Sequence, residues 1–435
     1  MTGRRPDRLG TVLCEKGLDS MRARCVPFVV ALVLAVGPTG PATAQGLRDP
    51  LGLGDAIRVA HERRFEIEAA RASAAAAGAR ADVISALEDP MFSSSLDHLP
   101  FMWEGADVSF TIEQRFPLSG IRGHRRAAVL AERDRLTAEA SRATLDVEVQ
   151  AANAFLMLWE RRRTAVLLTE QLAFARDVVT AANARYASGT APQADVLRAE
   201  LEVARLQSLE RGIGGEVRAA EAMLNASLGQ NAGTPVPELV MPPLTQPLPE
   251  WSSVQSALGA RPELQAGRAQ IARAEAEIEV MRDMFKPMAT LRTGPSYTMA
   301  EGTGWMAMFA VSLPIYRGKL KAGVAEAQAM RAMSEADFRA TTRMIEGDAA
   351  GALNQLQAAR ARQLAITSDV LPRARMAIDP AVAGYTAGQL PLVSVIEAVQ
   401  ALWLVQANLI AADTELGLAW ARLARARGSY EGIVP

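Results

Sequence analysis

Apolar residues along this chain follow two periods, one of a helix and one of a strand, and each pattern occurs twice. Residues 53–87 and 254–285 carry helical spacing. In the first run Ala69, Ser73, Ala76 and Arg80 share one side, as in a helix packed closely on neighbours. A proline ends each run, Pro90 or Pro287. Strand periodicity follows. Val108, Phe110, Ile112 and Phe116 alternate with Ser109, Thr111, Glu113 and Arg115. Trp305, Ala307, Phe309, Val311 and Leu313 alternate with Met306, Met308, Ala310 and Ser312. Alternation over about ten residues is what a membrane-crossing strand requires. Their partners, 91–99 and 288–298, alternate less cleanly across turns at Glu104-Gly105 and Glu301-Gly302. Beyond Pro117 and Pro314 the helical period returns over 122–186 and from 319 to 372 or beyond. At ~1.5 Å per residue, sixty residues make a rod of ~90 Å, which must pack lengthwise as a coiled coil. Each rod ends in a sharp turn and a return helix, 194–228 or 392–427.

The two sets keep register. Glu66-Ile67, Arg71, Asp89-Pro90, Phe116-Pro117 and Arg122 answer to Glu263-Leu264, Arg268, Lys286-Pro287, Leu313-Pro314 and Lys319, each 197 residues on. Tyr186, Gly189, Pro192, Leu224 and Gly229 answer to Tyr385, Gly388, Pro391, Leu423 and Gly428, now 199 on. The chain is therefore read as a duplicated unit, 45–229 and 252–428, joined by an irregular linker (230–251, with six prolines) and closed by a tail, 429–435.

Composition narrows the class. With 49% hydrophobic, 22% charged and only 5% aromatic residues, an Ala/Arg/Glu/Leu-rich chain of 435 residues favours long helices over a sandwich. A net charge of −1 argues against nucleic acid as a partner. Arg22 and Arg24, the apolar stretch 28–36 and the small-x-small sequence Ala42-Thr43-Ala44 predict a cleaved signal peptide within 1–44, with Met21 the expected start and 1–20 an upstream artefact. Both cysteines, Cys14 and Cys25, precede that cut, so no thiol or lipidated Cys is expected in the mature chain. No run of 18 apolar residues follows, so no transmembrane helix is expected. No nucleophile–base set, phosphate loop or metal motif is present, so neither an enzyme nor a cofactor is expected. His61, His98 and His124 are scattered, and Met299, Met306 and Met308 read as core or lumen packing, not as ligands.

Four strands cannot close a membrane barrel, and an open edge in lipid leaves backbone groups unsatisfied. The barrel must be shared. Two copies give eight strands, too narrow for large solutes, whereas three copies give twelve.

At the turns the residues resemble a known family. Tyr186-Ala-Ser-Gly189-Thr190-Ala-Pro-Gln-Ala-Asp195-Val196-Leu197 and Tyr385-Thr-Ala-Gly388-Gln389-Leu-Pro-Leu-Val-Ser394-Val395 resemble the helix-turn-helix tips of TolC-like outer membrane factors. The opening 53–71 and Leu-Pro-Ile-Tyr-Arg-Gly-Lys at 313–319 are similar in the same way. The resemblance implies a mainly α fold with a small β part: a TolC-like channel-tunnel of long antiparallel coiled-coil helices and four membrane strands per protomer. It implies a homotrimer with a 12-stranded outer-membrane barrel and a helical tunnel reaching into the periplasm. The implied partners are a periplasmic adaptor (membrane fusion protein) and an inner-membrane pump, RND type first. Asp89-Pro90-Met91 through Asp97-His98-Leu99-Pro100 resembles the CzcC/CusC-like heavy-metal branch. A drug-efflux or type I secretion duct stays open, as does, in another class, a soluble periplasmic coiled-coil scaffold.

The family's docking tips fall here on Tyr186, Gly189, Thr190, Asp195, Val196, Leu197, Tyr385, Gly388, Gln389, Ser394 and Val395. The entrance gate, where relatives often place acids, falls on Ser394 and Glu397, so only one acid stands there. Arg122, Arg125 and Arg126 after one strand, and Arg317, Lys319 and Lys321 after another, place positive charge at the periplasmic rim of the barrel, facing lipid phosphates.

Overall fold

The computed structural model describes residues 47–97, 107–298 and 301–430. The expected leader with both cysteines, His98, the Glu104-Gly105 turn, Met299 and the end of the tail lie outside the described residues. The elements run β1 (Leu51–Gly52), α1 (Leu53–Arg63), α2 (Phe65–Ser85), β2 (Met91–Asp97), β3 (Asp107–Pro117), α3 (Ile121–Ala187), α4 (Gln193–Ser227), β4 (Leu239–Val240), α5 (Trp251–Ala257), α6 (Pro262–Asp283), β5 (Met288–Thr298), β6 (Gly302–Ser312), α7 (Arg317–Ala365), α8 (Leu371–Met376), α9 (Ile378–Thr386) and α10 (Leu392–Arg427).

Three helical runs expected to be continuous are broken. The first breaks at Arg64, which is extended (φ −78°, ψ 121°). The second breaks at Arg261 (φ −60°, ψ 137°), because Pro262 disfavours the α conformation in the residue before it. These breaks are equivalent in the two copies and serve one purpose. Arg64 donates to Glu66 and, at 3.2 Å, to the Ser227 carbonyl at the end of the return helix α4. Arg261 donates to Glu263 and, at 3.3 Å, to the Ala426 carbonyl at the end of α10. Each guanidinium thus caps a helix C-terminus, a site that favours a cation. The third break follows α7, where a π-helical turn (Ile366–Val370) precedes Pro372, and Pro380 follows in α9. Each proline removes a backbone donor, so the regular ladder cannot run through. The spacing of the copies grows from 197 to 199 between Lys319 and Tyr385, and the π turn lies within that stretch.

Elsewhere the helices have heptad order. Ile67, Ala74 and Ala81 of α2 and Ala131, Ala138, Leu145 and Ala152 of α3 are buried at seven-residue spacing. The small-residue side expected to pack (Ala69, Ser73, Ala76, Arg80) is exposed in the protomer, opposite that buried stripe. One core gathers α1, the middle of α3 and the end of α4 around Phe155, Leu156 and Leu224. Its counterpart gathers α6, α7 and α10 around Leu264, Leu356 and Leu423. The proline-rich linker is tied to both long helices. Arg162 donates to the Val236 and Pro237 carbonyls and Arg360 to that of Leu244. The linker also pairs β4 in parallel with β1, a contact too short to leave any periodicity in the sequence. By length and hydropathy (mean 1.5) α10 could cross a bilayer, contrary to expectation, yet it lies along α3 and α7.

The strands form one antiparallel sheet, ordered β2-β3-β5-β6, which leaves β2 and β6 as open edges. At Gly294 a Cβ would collide with the Phe110 carbonyl, so only glycine lets β5 approach β3 there.

Burial alone would raise the Glu263 carboxyl, but the hydrogen bond from Arg261 and the charge of Arg425 pull it down to about 2. A carboxylate depressed in the folded state contributes stability that is complete above its ordinary value, 4.5, and is lost as pH falls toward 2. Glu263→Gln should therefore lower stability at neutral pH and flatten the acid limb between those values, as followed by far-ultraviolet circular dichroism in detergent.

Candidate functional site

Three surfaces emerge: the two faces of the sheet, the base of the sheet and the turns at the far end of the rods. Pairing register sorts the strand residues. Phe92 faces Ile112, Leu96 faces Val108, Val108 faces Tyr297 and Leu291 faces Phe309. This puts Phe110 and Trp305 on the same, apolar face, where Phe92, Phe110, Phe309 and Trp305 are exposed. Phe92 and Phe110 stack at 6.2 Å, and Trp305 donates from Nε1 to Thr293 at 2.7 Å. The opposite face is polar: Ser93 bonds Thr111 at 2.8 Å, Ser95 bonds Ser109 at 2.6 Å, and Arg292 reaches Glu113 through Nε at 3.0 Å. Met306 and Met308 share this polar face. An apolar outside and a polar inside are what a lipid-embedded, water-filled barrel needs. The Glu113–Arg292 pair was not singled out in the sequence. Its signal was a charged residue at matching inward positions of strands that pair with each other.

At the base, the six rim cations divide. Arg122 donates to the Ser85 carbonyl at 2.7 Å, and Arg126 pairs with Asp82 at 3.2 Å, so both hold α3 to α2. Arg125, Arg317, Lys319 and Lys321 have no hydrogen bond or ion pair from the side chain to any described residue. Beside them Asp283, buried, binds His124 at 2.9 Å and Lys286 at 2.7 Å. Burial opposes the charge of Asp283, yet the Lys286 and His124 bonds hold its carboxyl below the usual range. A cavity of about 450 Å³ opens between Asp283, Lys286, Arg122, Arg125, Met288 and Pro314. His61 likewise binds a carboxylate, Glu148, at 3.1 Å. No cluster of three His, Cys, Asp or Glu occurs among the described residues.

The tips share one construction. Gly189 (φ 72°) and Gly388 (φ 74°) reverse the chain in the left-handed region, and Pro192 or Pro391 opens the return helix. Amides of Thr190 and Gln389 close the turns on the Arg185 and Gly384 carbonyls at 2.9 and 2.8 Å. The predicted tip residues separate into two groups. Tyr385, Val196 and Val395 are buried and form the tip core with Ala199 and Leu392, and Asp195 is buried beside them. Tyr186, Gly189, Thr190, Leu197, Gly388 and Gln389 are on the surface. Ser394 is half-buried in the first turn of α10, and Glu397 is exposed one turn later. Sequence reasoning missed Arg185. Its guanidinium lies 4.5 Å from the Tyr385 ring centre, donates to the Tyr385 carbonyl and reaches the Thr190 carbonyl at 3.3 Å, clasping one tip to the other. A basic residue directly before Tyr186 was the only sign available. Arg185→Gln removes a cation–π contact and a charge-assisted bond, together about 2 kcal/mol. Hydrogen exchange of the 385–390 amides should therefore speed up about 30-fold, with exchange in α1 unchanged.

Comparison with known proteins follows the same lines. Residues 253–429 match the family model for outer membrane efflux proteins. The chain is 26% identical over 306 residues to the cobalt-zinc-cadmium resistance protein CzcC of Cupriavidus metallidurans, covering 67% of this chain and 71% of that protein. It is 24% identical over 290 residues to the outer membrane efflux protein BepC of Brucella suis, covering 64% of this chain and 62% of that one. A solved structure of CusC, described as forming a transmembrane channel, superposes with a TM-score of 0.76 at 16% identity over 87% of this chain and 92% of that one. Residues 253–429 thus carry the outer membrane efflux protein signature, and the apolar-outside sheet and paired long hairpins give the whole chain the TolC-like fold of an outer-membrane channel-tunnel whose helices extend into the periplasm.

Proposed function

We propose that three copies of this chain close into one channel that serves as the exit duct of a tripartite efflux system carrying heavy-metal cations. The observation that carries closure is the sheet with two unpaired edges, β2 and β6, since neither edge can face lipid. Uncovered apolar surface supports it: only 28% of the most apolar window of α10 is buried within the protomer, and Leu197, Leu201 and Leu404 are exposed. An assembled wall would cover such surface. The division into a leader (1–44), two repeats (45–229 and 252–428), a linker and a tail belongs to the same reading.

Each tip would dock a periplasmic adaptor through Tyr186, Gly189, Thr190, Leu197, Gly388 and Gln389, with the buried Tyr385, Asp195, Val196 and Val395 setting their shape. Three copies of Glu397 beside Ser394 would ring the entrance with negative potential and favour cations. An inner-membrane pump of RND type would supply the driving force, so the duct itself needs no catalytic group and no cofactor. Metal cargo is supported by the named resistance of the CzcC relative.

Deletion of the gene should raise sensitivity to copper, silver, zinc, cobalt or cadmium in a growth-inhibition panel, about tenfold for the transported ions, with dyes and antibiotics unchanged. Sensitivity to drugs or loss of an exported protein, with metals unchanged, would replace the metal reading by a drug-efflux or type I secretion duct.

A further inference from the structure

The cations at the base of the sheet differ from those elsewhere in the chain. The sequence has only four lysines, Lys16, Lys286, Lys319 and Lys321, against 47 lysines and arginines together. The three described lysines all lie where helix meets strand at the sheet's base: Lys286 just before β5, Lys319 and Lys321 in the first turns of α7. Lysine is the strongly hydrated, flexible cation that buries its stem in apolar surface and keeps its charge in water. Most arginines of the rods are paired with carboxylates or cap carbonyls. Arg125, Arg317, Lys319 and Lys321 are not, a state shared in the rods by residues such as Arg176, Arg218 and Arg339, which stand apart from one another and from any apolar collar at the sheet's base.

Their setting is unfavourable without an outside anion. The first turns of α1, α2, α4 and α6 carry acids, as the positive end of a helix dipole favours. The first turns of α3 and α7 carry none, and cations stand there instead. Directly above is an apolar collar continuing the outward face: Leu118 (55% exposed), Leu313 (71%), Ile315 (71%) and Tyr316 (77%). Leu118 follows β3, away from the open edges, so its exposure does not come from a missing neighbouring strand.

We infer that this belt is a binding site for anionic phospholipid of the inner leaflet: Arg317, Lys319 and Lys321, with Arg125 at the same level, hold the phosphate and headgroup charge, while Leu118, Leu313, Ile315 and Tyr316 lie along the glycerol and upper acyl chains. The inference rests on the outer-membrane rim reading and deepens it from general positive charge to selectivity for headgroup charge. An unpaired cation row under an apolar collar complements a lipid that is both acidic and amphipathic, whereas a free anion would leave the collar unused.

The test uses the whole protein in vesicles holding equal amounts of phosphatidylglycerol and phosphatidylcholine, with extraction into mild detergent and native mass spectrometry of the retained lipid. The wild-type protein should retain phosphatidylglycerol over phosphatidylcholine about tenfold. Arg317→Gln/Lys319→Gln/Lys321→Gln should lose most of that preference while its circular dichroism stays unchanged, because these side chains are exposed in the protomer and make no hydrogen bond or ion pair within it, and a native mass of the oligomer equal to wild type separates this loss from a loss of assembly. Ile315→Ser/Tyr316→Ser should lower total lipid retained. Equal retention of the two lipids by the wild-type protein, a preference untouched by the triple substitution, or displacement of lipid by inorganic phosphate but not by chloride at matched ionic strength would each overturn the inference. The readout is independent of pump, adaptor and cargo, so a failed efflux reading would leave it standing.

Discussion

Inside a bilayer no water is available to pair a backbone N–H or C=O, and this sheet has two edges, β2 and β6, that pair with no other described strand. Most of the architecture follows from that constraint. A protomer with four strands is not a closed barrel, and in the proposed assembly its edges and its uncovered apolar helix surface are met by other copies of the same chain. The duplication makes this economical. Each repeat supplies one hairpin of strands and one long helical hairpin, and the helix order across the wall follows the strand order: α2 packs on α3, α3 on α6 and α6 on α7, as β2 pairs with β3, β3 with β5 and β5 with β6.

Two recurring devices hold the repeats in place. At each helix break an arginine with a neighbouring glutamate caps the end of the return helix, Arg64 on Ser227 and Arg261 on Ala426. At each return-helix end a left-handed glycine, Gly229 or Gly428, lets the chain leave next to that arginine segment, and a Cβ at Gly229 would press on the Arg63 carbonyl oxygen at 3.0 Å. The tips use the same glycine geometry but add a contact between repeats, Arg185 on Tyr385, so the two pseudo-equivalent tyrosines end differently: Tyr186 is 48% exposed and Tyr385 only 5%.

Much of this was legible as period and register. Alternation around Phe110 and Trp305 predicted the strands and their faces, and the Gly189/Gly388 and Gly229/Gly428 pairs marked the ends of the helices. Other features left little trace. The Arg64 break has no proline or glycine, so nothing local announces it, whereas Pro262 marks its counterpart inside a run whose helical spacing continues on both sides. The π turn has no local sequence signature beyond Pro372 just after it. The split of the rim cations depends on partners far along the chain, such as Asp82 for Arg126, which composition cannot reveal. The buried state of Asp195, Val196 and Val395 arises from packing between the two tips, a contact across about 200 residues of sequence.

Closure between copies is tested most directly by disulfide trapping across the open edges. No cysteine occurs among the described residues, so Ser94→Cys on β2 can be combined with a scan of single cysteines along β6, from Thr303→Cys to Val311→Cys, in the native outer membrane. Closure predicts that a narrow set of β6 positions on one face cross-links under mild oxidation, and that the ladder of covalent products ends at three chains. A ladder ending at two chains, products growing without limit, or no cross-link at any β6 position would contradict it.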